Sequence, residues 1–300
     1  MTIQIFGRGI QIGGGVQINP DGIAPTYQFT ANSNAALASL TTNTPYTGSY
    51  DAISGKPTQA QSTSTTKSFT VESWIKWDNS AANIVGTIIG SPSDITRQPH
   101  FLCVYVDDNY YNGGTVNATN IRVDGYFLSQ TVYPTPFQLV KNTWYHIAVS
   151  RDATNNNNEM VWVNGVACGG VQTDSRIYSS NSLTLSNGWP NPQNYKKFVG
   201  FQADVRVVSN AYVYNPTSTT ITVPTAPLSA TVNASSVNTI ALIQADPQNT
   251  AVDNSPIGQT LEFAGIRYTP DTPYSSGGTG SWFNIDGNGT VLMNPGVYNC

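Results

Sequence analysis

Apolar residues in this chain alternate with polar ones over short runs and lack the three- and four-residue spacing of a helix. Gly, Pro, Asn and Thr punctuate it throughout. β-Branched and aromatic residues gather in runs of strand length: Phe69–Trp77, Phe101–Val106, Ile121–Leu128, Trp144–Arg151, Met160–Val163, Phe198–Val208, Thr239–Gln244 and Trp282–Ile285. The pattern predicts an all-β protein. In the first run Phe69, Val71, Ile75 and Trp77 share one face, and Thr70, Glu72, Trp74 and Lys76 the other. An aromatic on each face predicts a strand covered on both sides. The Trp144 run sets Trp144, His146, Ala148 and Ser150 opposite Tyr145, Ile147, Val149 and Arg151. His146, mid-strand among apolar neighbours, reads as a hydrogen-bonded core histidine.

Turn chemistry then orders the strands. Asn164-Gly165 between MVWV and VAC suits a type I′ turn, whose two central residues need positive φ. With the polar run Ala153–Asn158 as a second reversal, residues 144–168 should form a three-stranded meander. Asp286–Gly289 is read the same way, as a hairpin between WFNI and TVLM, and Thr269–Gly280 as a loop or linker. The chain divides into an N-terminal glycine-punctuated assembly arm (1–20), a β-sandwich (21–225) and a C-terminal β-rich extension (226–300).

The arm repeats one unit, an aliphatic-Gln-Ile triplet: Ile3-Gln-Ile5, Ile10-Gln-Ile12 and Val16-Gln-Ile18. Each triplet is too short to bury its own apolar face. The arm should therefore add strands to another subunit or partner, or fold back on its own sandwich as an edge hairpin.

Composition narrows the function. Only 10% of residues are charged, against roughly 25% in an average soluble domain. The surface must be built from neutral polar groups, which favours partner chains. The net charge of −4 and the scattered Lys and Arg, with Lys196-Lys197 the closest pair, argue against nucleic acid. No apolar run is long enough for a membrane helix. Met1–Ile18 is interrupted by Gln4, Arg8, Gln11, Gln17 and five glycines, unlike a secretory leader. Cys103, Cys168 and Cys300 form neither a disulfide framework nor a zinc pattern; Cys103 and Cys168 read as small buried hydrophobes.

Three ordered segments resemble the laminin-G-like family of concanavalin A-like sandwiches: Phe69–Trp77; Asn142–Arg151 with Val161–Gly165; and Phe201–Tyr214. The small glycine that the family carries in the third is Ala203 here. That third segment, with Pro224–Leu228 and Val252–Ser255, resembles virion structural proteins of tailed phages, especially those of cyanobacteria and aquatic bacteria. The resemblance implies a concanavalin-like jelly-roll sandwich. It also implies a place on the virion, made in the host cytoplasm, with other virion proteins and further copies of itself as partners.

Catalytic sets are not found. The three glutamates, Glu72, Glu159 and Glu262, lack the closely spaced second carboxylate that glycosidases of this fold use. There is no Gly-x-Ser-x-Gly elbow, only His100 and His146 could serve a nucleophile, and Gly7–Gly15 lacks a P-loop Lys-Ser/Thr. The chain is expected not to be an enzyme. Calcium is the one candidate ion, on Asp107, Asp108 and Asp124 at sandwich rim loops, where Asp-Asp-Asn also makes a good turn. Trp189, Tyr110 and Tyr111 lie in polar loops, where a ring can stack on a sugar, contact a subunit or pack locally. Glu72 and Arg206 occupy apolar strands and should lie on neighbouring strands as a buried charge pair. The leading expectation is a structural phage protein (fibre, neck, tail or capsid-surface component), acting by protein–protein attachment with host-glycan contact. The alternative is a lectin-like carbohydrate-binding module of a bacterial surface or exported protein.

Overall fold

The computed structural model describes residues 3–6, 9–12, 16–17, 67–81, 84, 86–90, 103–107, 120–124, 130–175, 179–180, 184–185, 198–232, 238–258, 261–275, 278, 280–284, 290–293 and 298–299. The chain divides into two units, Met1–Leu37 and Ala38–Cys300. In the first, Ile3–Phe6, Gly9–Ile12 and Val16–Gln17 pair with one another as a small antiparallel sheet. The register sets Ile3 opposite Ile12, Ile5 opposite Ile10 and Ile12 opposite Val16. Ile18 lies outside the described residues.

The second unit contains two large antiparallel sheets. One runs Val166–Ala167, Asn158–Val163, Tyr145–Asp152, Phe69–Trp77, Gly200–Ser209, Thr239–Asp246, Thr250–Asp253. Ser281–Asn284 also pairs with Gly200–Ser209 and in turn carries Ile266–Thr269. The other runs Leu261–Ala264, Thr290–Met293, Thr184–Leu185, Gly86–Gly90, Cys103–Asp107, Asn120–Asp124, Gln130–Pro134. One hydrophobic core joins side chains of both sheets: Phe69, Val71, Ile75, Trp77, Ile147, Val149, Val205, Val207 and Trp282 from the first, with Ile88, Ile89, Ile121, Val123, Tyr133 and Leu185 from the second. This is a concanavalin-like β-sandwich, in which alternation along each strand sorts core from outer face.

The Phe69–Trp77 strand is buried along its whole length, as an aromatic on each face predicts. The meander is present, and Asn164 and Gly165 both hold positive φ, 47° and 79°, with Val163 opposite Val166. A Cβ on Gly165 would lie 2.6 Å from the Ile221 carbonyl oxygen. Gly165→Val should therefore cost more than the turn strain alone, about 2 kcal/mol or more, read as a lower midpoint in urea denaturation. An unchanged midpoint would refute the turn's role.

One expectation is corrected and one is narrowed. The strands flanking Asp286–Gly289 do not pair as a hairpin: Ser281–Asn284 belongs to the first sheet and Thr290–Met293 to the second, while Asp286–Gly289 itself lies outside the described residues. A reversal signal fixes local chain direction and leaves open which sheet receives the next strand. Of the two readings of Thr269–Gly280, loop or linker, the structure bears out the loop, because Thr269 pairs with Ser281 across that hairpin. Strands beyond residue 225 are built into both sheets. Leu261–Ala264 and Ile266–Thr269 even lie in different sheets, separated only by Gly265 at φ 64°.

Gly200–Ser209 contains an irregularity that shapes everything on the outer face. Ala203 pairs with Trp74 and Arg206 with Glu72, so one extra residue is taken up at Asp204-Val205, where Asp204 adopts φ 45°. A bulge of this kind shifts the alternation by one residue. It lets Val205 and Val207 enter the core while Arg206 joins Phe201 and Ala203 on the opposite face.

Candidate functional site

The outer face of the first sheet carries two groups of polar side chains, one sealed and one half open. Glu72 is the hub of the sealed group. Arg206 donates from Nε to Glu72 Oε1 at 2.8 Å and again from Nη2; His146 Nε2 donates to Oε2 at 3.0 Å and the Tyr214 hydroxyl at 2.8 Å. Arg206 Nη1 also donates to the Ser229 carbonyl at 2.8 Å. The charge pair expected across neighbouring strands is thus present, and His146 is a fully buried, hydrogen-bonded histidine. Burial alone pushes the Glu72 carboxyl up, but the His146 hydrogen bond and the Arg206 charge outweigh it and hold the group below the usual carboxylate range. Burial and the Glu72 charge push the Tyr214 hydroxyl up.

Residues 210–232 close this group from above. Tyr214 and Ile221 pack on Ala148, Met160 and Trp162, Trp162 Nε1 donates to the Ser218 carbonyl at 3.0 Å, and Val213 N donates to Thr70 Oγ1 at 2.8 Å. Beside it the bulge residue Asp204, 1% exposed, accepts from Leu228 N (2.9 Å) and the Tyr274 hydroxyl (2.5 Å) through Oδ2 and from Gln244 Nε2 (3.3 Å) through Oδ1. Burial pushes the Asp204 carboxyl up, against those three hydrogen bonds.

The half-open group is a row across adjacent strands. Lys76 and Phe201 are cross-strand partners, as are Phe201 with Phe283 and Phe283 with Arg267; Trp144, just before Tyr145, flanks Lys76 on the other side. The Lys76 ammonium lies 4.3 Å from the Phe201 ring centroid and 5.2 Å from that of Trp144. Phe201 stacks on Phe283 at 4.5 Å. Asp271, from the 269–280 loop, pairs with Lys76 and accepts from Trp144 Nε1 at 3.4 Å. Trp144, Phe201, Phe283 and Asp271 are half-buried and Arg267 is exposed. Tyr274, of the same loop, packs on Trp74 and Ala203 beside the row.

Most residues singled out from the sequence fall elsewhere. Trp189, Tyr110, Tyr111 and Asp108 lie outside the described residues. Asp107 pairs with Asn120 and Asp124 with Cys103, at opposite ends of one strand pair. That is about 14 Å along the ladder, too far for one calcium ion to draw on both. Among the described residues no cluster of three metal-ligating side chains occurs. Cys168 is buried, as expected, and burial pushes its thiol up to about 12, which leaves it inert. The aromatic row was missed. Its signal, single aromatics at outward positions of separate strands, becomes visible only once the strand order is known.

A family model described as the concanavalin A-like lectin/glucanases superfamily matches residues 47–213. No curated protein matches the chain. Among solved structures, a protein from Bacteroides ovatus is similar at 16% identity and TM-score 0.43, over 80% of this chain and 55% of that one. Domain 4 of an extracellular arabinanase from Geobacillus stearothermophilus, in complex with arabinotriose, is similar at 18% identity and TM-score 0.33, over 47% of this chain and 61% of that one. A heptameric SAP-like pentraxin from Limulus polyphemus is similar at 20% identity and TM-score 0.25, over 34% and 42%. The chain spans less than two thirds of each. With more than half of its length matched by the family model, and a sandwich of the matching kind, the chain belongs to the concanavalin A-like lectin/glucanase superfamily.

Proposed function

We propose that this chain is a lectin-like carbohydrate-binding module without catalytic activity, and that the outer-face row of Trp144, Lys76, Phe201 and Phe283 receives the sugar. The observation that carries the reading is the combination of half-exposed rings with a carboxylate held at their edge. Ring faces suit the C–H faces of a pyranose, and Asp271, fixed by Lys76, has lone pairs left for hydroxyl donors. The two outer-face carboxylates with displaced titration, Glu72 and Asp204, are each 1% exposed and fully engaged, so neither can reach a glycosidic oxygen. Their role is to hold strands together.

A second reading, attachment on a phage particle, draws on the sequence resemblance and on the N-terminal unit. Among the described residues Ile3–Phe6 and Val16–Gln17 each pair on one edge only, which leaves edges for strands of another copy or partner. Light scattering after size exclusion, followed by a glycan array, separates the two. We expect saccharide binding that a competing oligosaccharide removes. A stable oligomer with no sugar signal would refute the lectin reading and favour the structural one.

A further inference from the structure

We propose that the row takes an acidic saccharide, a glycan chain bearing carboxylates, laid across the strands with one carboxylate at Arg267; this rests on the carbohydrate-binding reading above. Register sets the argument. From Trp144 through Lys76, Phe201 and Phe283 to Arg267 the row crosses five adjacent strands, a span of about 19 Å at the usual inter-strand spacing. A row of that length accommodates several sugar rings in line, not one terminal residue. Asp271 on Lys76 and Tyr274 on Asp204 border the row at Lys76 and orient the chain along it.

Charge decides the class of sugar. Lys76 is neutralised by Asp271, whereas Arg267 is exposed and meets no carboxylate among the described residues. Among the described residues the row therefore ends on a guanidinium with no counter-ion, in a chain whose net charge is −4. A guanidinium offers a planar fork that matches a carboxylate with two parallel hydrogen bonds. Hydroxyls of a neutral sugar give it no comparable partner. The aromatic part of the row would serve any pyranose chain, so Arg267 is the specificity-determining residue.

The test is calorimetric titration of the full chain with a galacturonic-acid tetrasaccharide, the corresponding neutral galactose tetrasaccharide and a sulfated analogue, at low and high salt. The uronate should bind at least tenfold tighter than the neutral sugar, about 1.4 kcal/mol, with the preference shrinking as salt rises. Arg267→Gln, at an exposed position, should bring the uronate down to the affinity of the neutral sugar. Trp144→Ala should weaken both. Equal wild-type affinities, a preference that survives Arg267→Gln, or tighter binding of the sulfated analogue would overturn the acidic-sugar assignment. In those cases, neutral-sugar binding that Trp144→Ala weakens would leave the lectin reading standing. No binding of any saccharide would sink both.

Discussion

Replacing Glu72 by Gln will destabilise this protein by about 3–5 kcal/mol, the cost of breaking a buried charge pair from one side. The substitution keeps volume and removes charge. It leaves the Arg206 guanidinium in the sheet's outer layer without its counter-ion, and it turns one of two acceptor oxygens into a donor facing groups that already donate. Arg206→Met should cost less, by at least about 1 kcal/mol, because Glu72 then keeps hydrogen bonds from His146 and Tyr214. Urea denaturation of the two variants at neutral pH checks the order. Equal losses would mean that Glu72 is no hub, and the His146 and Tyr214 contacts contribute little.

The same carboxylate should leave a signature in pH. Its folded-state pKa is depressed, so its stabilisation is fully present above the ordinary glutamate range and is lost as pH falls through the folded value. The gap between wild type and Glu72→Gln should therefore narrow steadily below that range. Asp204 runs the other way: its folded pKa is raised, so protonation on acidification favours the folded state and offsets part of the loss. A gap that stays constant down to acid pH would contradict the ionised, paired state of Glu72.

What could be read in the sequence was local or forced. Asn164-Gly165 announces its hairpin because the backbone there needs two residues that tolerate positive φ, and that demand is met within two positions. Glu72 and Arg206 could be matched because charges embedded in apolar strands must find each other. The candidate row was not legible for the opposite reason. Lys76 meets Asp271 across 195 residues, and nothing near either position specifies the other. The bulge at Asp204 was hidden too, since the residue count between Ala203 and Arg206 gives no hint that Ser73 alone stands opposite two residues. The misread Asp286–Gly289 shows the same limit: turn chemistry is local, whereas assignment to a sheet depends on the whole core.

Gly200→Ala is expected to cost about 3 kcal/mol or more, a large loss for a single added methyl. Gly200 opens the long strand beside Phe69–Trp77, pairs with Trp77 and holds φ 153°, where an L side chain is strained. A Cβ there would lie 2.2 Å from the Lys76 carbonyl oxygen and 2.9 Å from Trp77 Cα. Both neighbours are backbone of a central strand, so relief requires the two strands to part. Parting them would shift Phe201 against Lys76 and so disturb the candidate sugar row as well. Gly170→Ala is the control. Its added Cβ meets nothing within 4 Å, and the change should fall within about 0.5 kcal/mol of wild type. Parallel urea titrations of the two variants decide the matter. If Gly200→Ala and Gly170→Ala unfold at the same midpoint, the close approach of the two central strands is wrong, and with it the register that aligns the row.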